Sequence, residues 1–231
     1  NISVESAMSD SQVSQAVDYG RMVGRNLASM TDCLIIGESI PGGTTTALAV
    51  LRGLGFKAKV SSSIPNNPVE LKNQIVNLAL GRLTSDNPYH VIAKVGDPMI
   101  AFVSGMLSSA SEITKVMLAG GTQMAAVLAF ASKIGFNEQN TAIGTTSYIS
   151  NDNSANFTSL VSEIADIPVI AVNPGLENSK FSGLKAFSQG FAKEGVGAGG
   201  SIIASMIKTG NDSTHFLTLS EKEYHRLFTS L

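Results

Sequence analysis

Short apolar runs recur along the chain, and each is followed by a loop of small residues. The clearest runs lie at Cys33–Gly37, 91–95, 116–119 and Val169–Val172, with weaker candidates at 58–60 and 141–144. Runs that are apolar throughout are typical of strands buried on both faces, as in parallel sheets. The pattern therefore predicts a mostly parallel sheet.

Between these runs, apolar residues recur with helical spacing. The predicted helices cover 12–30, 45–54, 69–83, 98–109, Thr122–Ile134, 156–164 and 202–207, and 61–68 is a predicted loop. Strands that alternate with helices favour right-handed crossovers. We therefore expect residues 1–231 to form a single α/β nucleotide-binding domain: a doubly wound, mostly parallel sheet flanked by helices in three Rossmann-like layers. Such sheets bind ligands beyond the carboxyl ends of their strands, where the glycine clusters of this sequence fall.

Composition argues against several classes of partner. Only 15% of the residues are charged, the net charge is -2 and no two basic residues are adjacent, so we expect no nucleic-acid partner. No apolar stretch approaches the roughly 18 residues of a membrane span. The single cysteine, Cys33, is expected to be buried, and the polar start of the chain lacks signal-peptide features, which together favour a cytoplasmic protein. Without paired histidines, no metal site is expected.

A segment rich in glycine and threonine follows the first predicted strand. Gly42 and Gly43 allow the backbone to approach a ligand closely. Thr44 and Thr45 could cap the next helix, whose amino end favours a phosphate or a carboxylate. Glu38, at the end of the strand, has space beside it for a ligand. A tight turn with a threonine cap, and a carboxylate satisfied by loop amides, are the alternative interpretations.

A second glycine-rich segment, 193–201, opens the last predicted helix and contains Glu194. Burial would raise the pKa of the Glu194 carboxylate toward that of a useful general base, whereas a helix amino end would lower it. The sequence leaves open which effect prevails. The alternative is an acid that only complements the helix dipole.

Three further loops contain weaker candidates. Gly96 could present a backbone amide to an anion, although Asp97 is expected to cap the following helix. Gly121 opens another helix, and Thr146 and Ser147 could supply hydroxyl donors to a ligand.

Taken in order, these segments resemble the nicotinate-nucleotide:dimethylbenzimidazole phosphoribosyltransferases. The family's Gly-Glu and Thr-Thr pairs match 37–38 and 44–45, and its Glu-Gly-(Thr/Ser)-Gly-Ala stretch is similar to 194–198. A Lys/Arg-Val-Gly-Gly stretch matches 94–97, with Asp97 at the second glycine. Pro41 and the double glycine are closest to the archaeal and cyanobacterial branch. The match covers roughly residues 12–207 by motif spacing.

The resemblance implies a reaction of cobamide lower-ligand synthesis: the ribosyl phosphate of nicotinate mononucleotide passes to a benzimidazole nitrogen, and nicotinate is released. Glu194 would be the general base that takes the azole proton. The residues that would hold the mononucleotide are Glu38, Gly42, Gly43, Thr44, Thr45, Gly96, Gly121, Thr146 and Ser147. The resemblance also implies small-molecule partners, no cofactor and a homodimer.

Two departures from the family bear on activity. Gln74 occupies the position of a functional lysine in the family, and Lys72 lies on a different face of the same predicted helix. The chain is also expected to lack a longer N-terminal region that contributes to the family's base pocket. Two other hypotheses therefore stand beside the transferase: a nucleotide-binding protein that kept the cradle without the chemistry, and an unrelated sugar-phosphate enzyme on the same scaffold.

Overall fold

Parallel strands form the sheet in the computed structural model, which describes residues 1–228. In chain order, which is also their order in the sheet, they are β1 (Cys33–Gly37), β2 (Lys115–Ala119), β3 (Thr141–Thr146) and β4 (Val169–Val172). The last residues of β1 and β2, Gly37 and Ala119, are register partners, and so are Thr146 and Val172 at the ends of β3 and β4. The carboxyl ends of the strands therefore meet at one edge of the sheet.

Seven of the helices lie where the sequence predicted them, with ends displaced by up to four residues, and the others were not predicted as helices. They are α1 (Asp10–Ala28), α2 (Gly43–Gly53), α3 (Val69–Leu80), α4 (Pro88–Val95), α5 (Pro98–Ala110), α6 (Thr122–Ile134), α7 (Ser147–Ser150), α8 (Phe157–Ile164), α9 (Ser182–Ser188), α10 (Ala198–Thr209) and α11 (Ser213–Phe228). A capping box formed by Ser9 and Gln12 starts α1. Helices α4 and α5 each start with a capping side chain, Asn87 or Asp97, followed by a proline, whose fixed backbone suits the first helical turn.

Successive residues of β1 face opposite layers, as the alternation of side chains in a strand requires. Leu34 and Ile36 belong to the large hydrophobic core that the helices following the first three strands also build. Ile35 belongs to a smaller core with Ile202 and Ile203 of α10. The predicted three-layer α/β fold is thereby confirmed. Because right-handed crossovers between strands in chain order place their helices on one face, it is α10, after the last strand, that covers the other face.

The segment 91–95, predicted as a strand, is instead the second half of α4. Its residues Val91, Ile92, Ala93 and Val95 are buried. A short run that is apolar on all sides fits a buried helix as well as a buried strand, so periodicity could not separate the two. The cap at Asn87 and the proline after it were the local signals of a helix.

The two weaker strand candidates differ in outcome. The segment 141–144 is confirmed as part of β3. The segment 58–60 forms no regular element, because Asn156 rather than a neighbouring strand bonds its backbone: Lys59 N–H donates to Asn156 Oδ1 at 2.7 Å, and Lys59 C=O accepts from Asn156 N–H at 3.2 Å. The loop predicted at 61–68 is confirmed.

Cys33 is exposed, so the expectation that it is buried was wrong. It begins β1, which lies at one end of the strand order and has a neighbouring strand on one side only. Within residues 1–228, no helix combines the length and the apolar character that crossing a bilayer requires.

Candidate functional site

A cavity of about 430 Å³ opens beyond the carboxyl ends of the strands. This volume lies in the range of about 300–1,000 Å³ that small-molecule sites occupy. Four segments line most of it: 38–41 after β1, the loop residues 61–63, 121–123 at the start of α6, and 192–196 before α10. Thr44 and Ile149 complete the lining. Glu38 and Glu194, which are far apart in sequence, therefore face one cavity.

Two helices present their amino ends to this cavity. Helix α2 starts after Gly42, whose φ of 74° lies in the left-handed region, and its second residue, Thr44, lines the cavity. Helix α6 starts after Gly121, and both Gly121 and Thr122 line the cavity. Neither helix has a side chain bonded to its first N–H groups. At the start of α2, Gly43 N–H donates to Ile40 C=O at 3.4 Å and Thr45 N–H donates to Gly42 C=O at 3.2 Å. Helical N–H groups without such partners, together with the helix dipole, favour an anion at an amino end.

The carboxylate of Glu194 is fixed at the start of α10 beside the end of β3. Its Oε1 accepts from Gly199 N–H at 2.7 Å, and its Oε2 accepts from Thr146 N–H at 2.7 Å. Burial nevertheless raises its pKa, because the loss of hydration outweighs the hydrogen bonds from Gly199, Thr146 and Thr145 that favour the charged form. Of the two opposing effects on the pKa of Glu194, burial and the helix amino end, burial therefore prevails.

Glu38 is half-buried on another wall of the cavity. Its Oε2 accepts from Ile40 N–H at 2.6 Å. Burial raises its pKa, the bond from Ile40 opposes that shift, and the negative charge of Asp97 adds to it. Both cavity glutamates thus hold a proton at higher pH than an exposed glutamate does.

Asp97 caps α5, as expected from the sequence: its Oδ1 accepts from Ile100 N–H at 2.9 Å. Its Oδ2 accepts from the hydroxyl of Thr46 at 2.8 Å, which joins the starts of α5 and α2. Gly96 does not line the cavity. It follows helix α4 instead of a strand, so its expected position at a strand end was wrong.

The other predicted residues do not line the cavity. Gly42 forms the turn into α2. Gly43 is the first residue of α2, and a side chain added there would collide with the amide of Gln123. Thr45 N–H bonds to Gly42 C=O within that turn. Thr146 supports the site through Glu194 and through its hydroxyl, which donates to Lys193 C=O at 2.7 Å. Ser147 starts α7 and does not line the cavity.

Sequence reasoning missed an ion pair at the cavity wall. Lys193 Nζ lies 2.6 Å from Asp152 Oδ2, with side-chain exposures of 11% and 8%. The hydroxyl of Ser61 donates to the same oxygen at 2.5 Å. Burial alone would raise the pKa of Asp152, but hydrogen bonds from Lys193, Ser61 and Ser154 outweigh it and hold the pKa well below its usual range. The only signal in the sequence was the position of Lys193 beside Glu194.

On helix α3, it is Lys72 and not Gln74 that contacts the loop 61–63 of the cavity lining. Lys72 is 5% exposed, and its Nζ donates to Ser61 C=O at 2.8 Å and to Asn67 Oδ1 at 2.9 Å. Burial, reinforced by the charge of Lys193 and opposed by Asp152, lowers its pKa to about 8. Gln74 is exposed on α3 and does not line the cavity.

Two strained residues bracket Lys193 and Glu194. Ala192 and Val196 have φ values of 60° and 54°, and they are the non-glycine residues with positive φ in the described chain. Such conformations cost of order 1–3 kcal/mol each and persist where surrounding contacts over-determine them. Here Ala192 N–H donates to Ser63 C=O at 2.9 Å. The segment that carries both charged groups is therefore held in one conformation.

Comparison with known proteins identifies relatives by sequence. A family model described as a phosphoribosyltransferase matches residues 1–148. The "UPF0284 protein" of Archaeoglobus fulgidus is 42% identical over 227 residues, which are 98% of this chain and 64% of that protein. The protein of the same name from Sulfurisphaera tokodaii is 46% identical over 93% of this chain and 62% of its own length. The chain thus spans about three-fifths of the length of these curated relatives.

Two solved structures from Thermus thermophilus share the fold. One is described as a nicotinate-nucleotide-dimethylbenzimidazole phosphoribosyltransferase, with a TM-score of 0.60 and 20% identity, covering 88% of this chain and 59% of that one. The other, described as CobT, has a TM-score of 0.62 and 21% identity, covering 88% and 60%. At 20% and 21% identity, these structures show that the chain shares their fold.

Proposed function

Because the chain belongs to the phosphoribosyltransferase family, we propose that its cavity binds the ribosyl phosphate of nicotinate mononucleotide for transfer to a benzimidazole-type base. The observation that carries this proposal is the meeting of Glu38 and Glu194 on one cavity at the carboxyl edge of the sheet. Ligands of parallel α/β sheets bind at that edge.

Glu194 is the proposed general base. As the lone pair of one azole nitrogen forms a bond to the anomeric carbon, the bond from that carbon to the nicotinate ring nitrogen breaks. Its electron pair neutralises the ring nitrogen, and nicotinate leaves. The N–H proton of the azole passes to the Glu194 carboxylate, so charge and atoms balance. Burial and the raised pKa support this role, because a base with a pKa closer to the working pH accepts a proton more readily.

The cradle for the mononucleotide follows from the lining of the cavity. Glu38 offers acceptor oxygens to ribose hydroxyls, while Thr44 and Gly121 lie at the uncapped amino ends of α2 and α6. The turn at 42–45 shapes the start of α2, and Thr146 holds Glu194. Ser147 lies next to Thr146 at the start of α7. Fixed donors of this kind lower the entropic cost of aligning the reacting atoms.

A binding protein without transfer chemistry is the second candidate. Gln74 is exposed where the resemblance leads us to expect a functional lysine. The acceptor base and the homodimer remain predictions drawn from the resemblance. The two candidates differ in one observable, the release of nicotinate.

Replacing Glu194 tests the enzymatic role. The 231-residue chain is incubated with nicotinate mononucleotide and dimethylbenzimidazole, and released nicotinate is measured. Glu194→Gln should slow release at least about a hundredfold, the usual worth of a general base, while its affinity for the mononucleotide stays within a few-fold. The wild-type rate should fall as the pH drops through the raised pKa of Glu194, because protonation removes the base.

Glu163→Gln serves as the matched control, because Glu163 is exposed on α8 away from the cavity. Its release rate should equal that of the wild type. Equal rates for Glu194→Gln and the wild type would remove the proposed base. Binding of the mononucleotide without release by the wild type would favour the binding protein, and neither binding nor release would reject both candidates.

A further inference from the structure

Lys193 is the only lysine or arginine among the residues that line the cavity. Its main chain is fixed on both sides, because Thr146 Oγ1 donates to Lys193 C=O at 2.7 Å and the neighbouring Ala192 N–H donates to Ser63 C=O at 2.9 Å. The main chain of Lys193 is therefore held in place at the cavity wall.

The ammonium of Lys193 has donor capacity to spare. A lysine carries three N–H groups, and among the described residues Asp152 is the one acceptor bonded to Nζ, at 2.6 Å. The other oxygen of Asp152 accepts from Ser154 N–H and from the Ser154 hydroxyl. Asp152 thus holds Nζ in position and leaves two of its N–H groups for a ligand.

The same ion pair is tied to the amino end of α6. Ser61 donates its hydroxyl to Asp152 and its N–H to Thr122 Oγ1 at 3.2 Å. Ser62 and Ser63 follow on the cavity wall. Hydrogen bonds thus connect Lys193 through Asp152 and Ser61 to Thr122, the first residue of α6.

This arrangement is suited to a phosphate. The carboxylates of Glu38 and Glu194 also line the cavity and repel an anion, whereas the ammonium of Lys193 and the amino end of α6 attract one. A second cavity, lined by Arg52, Lys59 and Lys72, has a volume of about 140 Å³. It falls below the range of about 300–1,000 Å³ for small-molecule sites, so a mononucleotide does not fit it.

We propose that Lys193 binds the phosphate group of the ribosyl substrate, with Ser62, Ser63 and the first N–H groups of α6 as further donors. The identity of the substrate rests on the proposed function. The phosphate site itself rests on Lys193 and its neighbours, so it can be tested with ligands that lack the nicotinate ring.

Calorimetric titration of Lys193→Gln with matched ligands tests the proposal. Nicotinate mononucleotide and ribose 5-phosphate carry the phosphate, and nicotinate riboside lacks it. Removing a charged donor should weaken both phosphorylated ligands by about tenfold to a hundredfold and leave the riboside within about threefold. Lys193→Arg should keep most of the affinity. Lys185→Gln, which changes a lysine of α9 outside the cavity lining, is the control and should match the wild type.

Two outcomes overturn the proposal: unchanged affinity for ribose 5-phosphate, or an equal loss for the riboside, which indicates a structural role. No binding of either phosphorylated ligand by the wild type also overturns it. Selective loss of ribose 5-phosphate binding, without any release of nicotinate by the wild type, upholds the phosphate site while the transferase fails. If circular dichroism shows Lys193→Gln to be unfolded, Ser63→Ala decides by the same comparison, because it leaves the ion pair intact.

Discussion

At the scale of single residues, the conformation of 192–196 connects strain to the site. Val196 is β-branched, holds a φ of 54° and is 66% exposed. A left-handed conformation costs an L-residue about 1–2 kcal/mol, and the exposed side chain recovers little of that by packing. The strained backbone holds Glu194 and Lys193 at the cavity, and it lowers the free energy of unfolding.

Val196→Gly should therefore raise the free energy of unfolding. Relief of about 1–2 kcal/mol of strain outweighs the roughly 0.4–1 kcal/mol that the added freedom of the unfolded chain costs. Denaturant unfolding measures the change, and Val196→Ala is the matched control, because alanine keeps the left-handed penalty and should show no gain. A variant Val196→Gly that is less stable than the wild type would contradict this account of the backbone.

The two site glutamates could be predicted from the sequence because each lies in a local pattern of small residues next to a strand end or a helix start. The ion pair of Lys193 and Asp152 could not. It joins residues distant in the chain, and Asp152 lies in a polar loop that has no pattern of its own. The exposure of Cys33 likewise depends on which strand is at the end of the sheet, which its apolar neighbours do not reveal.

At the scale of secondary-structure elements, helices α1 and α5 pack closely because glycines line their contact. An added methyl group at Gly20 would overlap Phe102 C=O, and one at Gly105 would overlap Val17 C=O. Close packing leaves no space for the extra atom without movement of the backbone. This contact anchors α1 on the large core, on the sheet face opposite α10.

Gly20→Ala should lower the free energy of unfolding by roughly 1–3 kcal/mol, the usual cost of overpacking. Gly81→Ala is the matched control. Gly81 ends α3 with a φ of -60°, and its nearest neighbour to an added methyl group lies at an ordinary 3.4 Å. The control should be neutral or gain up to about 1 kcal/mol. Equal stabilities of the two variants in thermal unfolding would contradict the close helix contact.

Elements were predicted well where the apolar period was long and poorly where it was short. Helix α6 begins and ends as predicted, because its residues Thr122–Ile134 form a long pattern between two glycines. The five residues 91–95 were too few to distinguish a strand from a helix. The extent of α10 was also underestimated, since its start at Ala198 lies in the glycine-rich segment that periodicity does not describe.

At the scale of the whole molecule, the cavity joins distant parts of the chain. The segments 38–41 and 121–123 lie within the stretch that the family model matches, whereas 192–196, with Glu194 and Lys193, lies beyond it. The alternation of strands and helices was enough to predict three layers. The covering of one sheet face by α10 was not predictable, because it depends on tertiary packing after the last strand.

The crystal structure of this chain with bound nicotinate mononucleotide tests the central claim most directly. We predict the ribose between Glu38 and Glu194, within hydrogen-bond reach of about 2.6–3.2 Å, and the phosphate on Lys193 beside the start of α6. A mononucleotide bound away from these three residues, for example over the cavity of Arg52 and Lys59, would contradict the account.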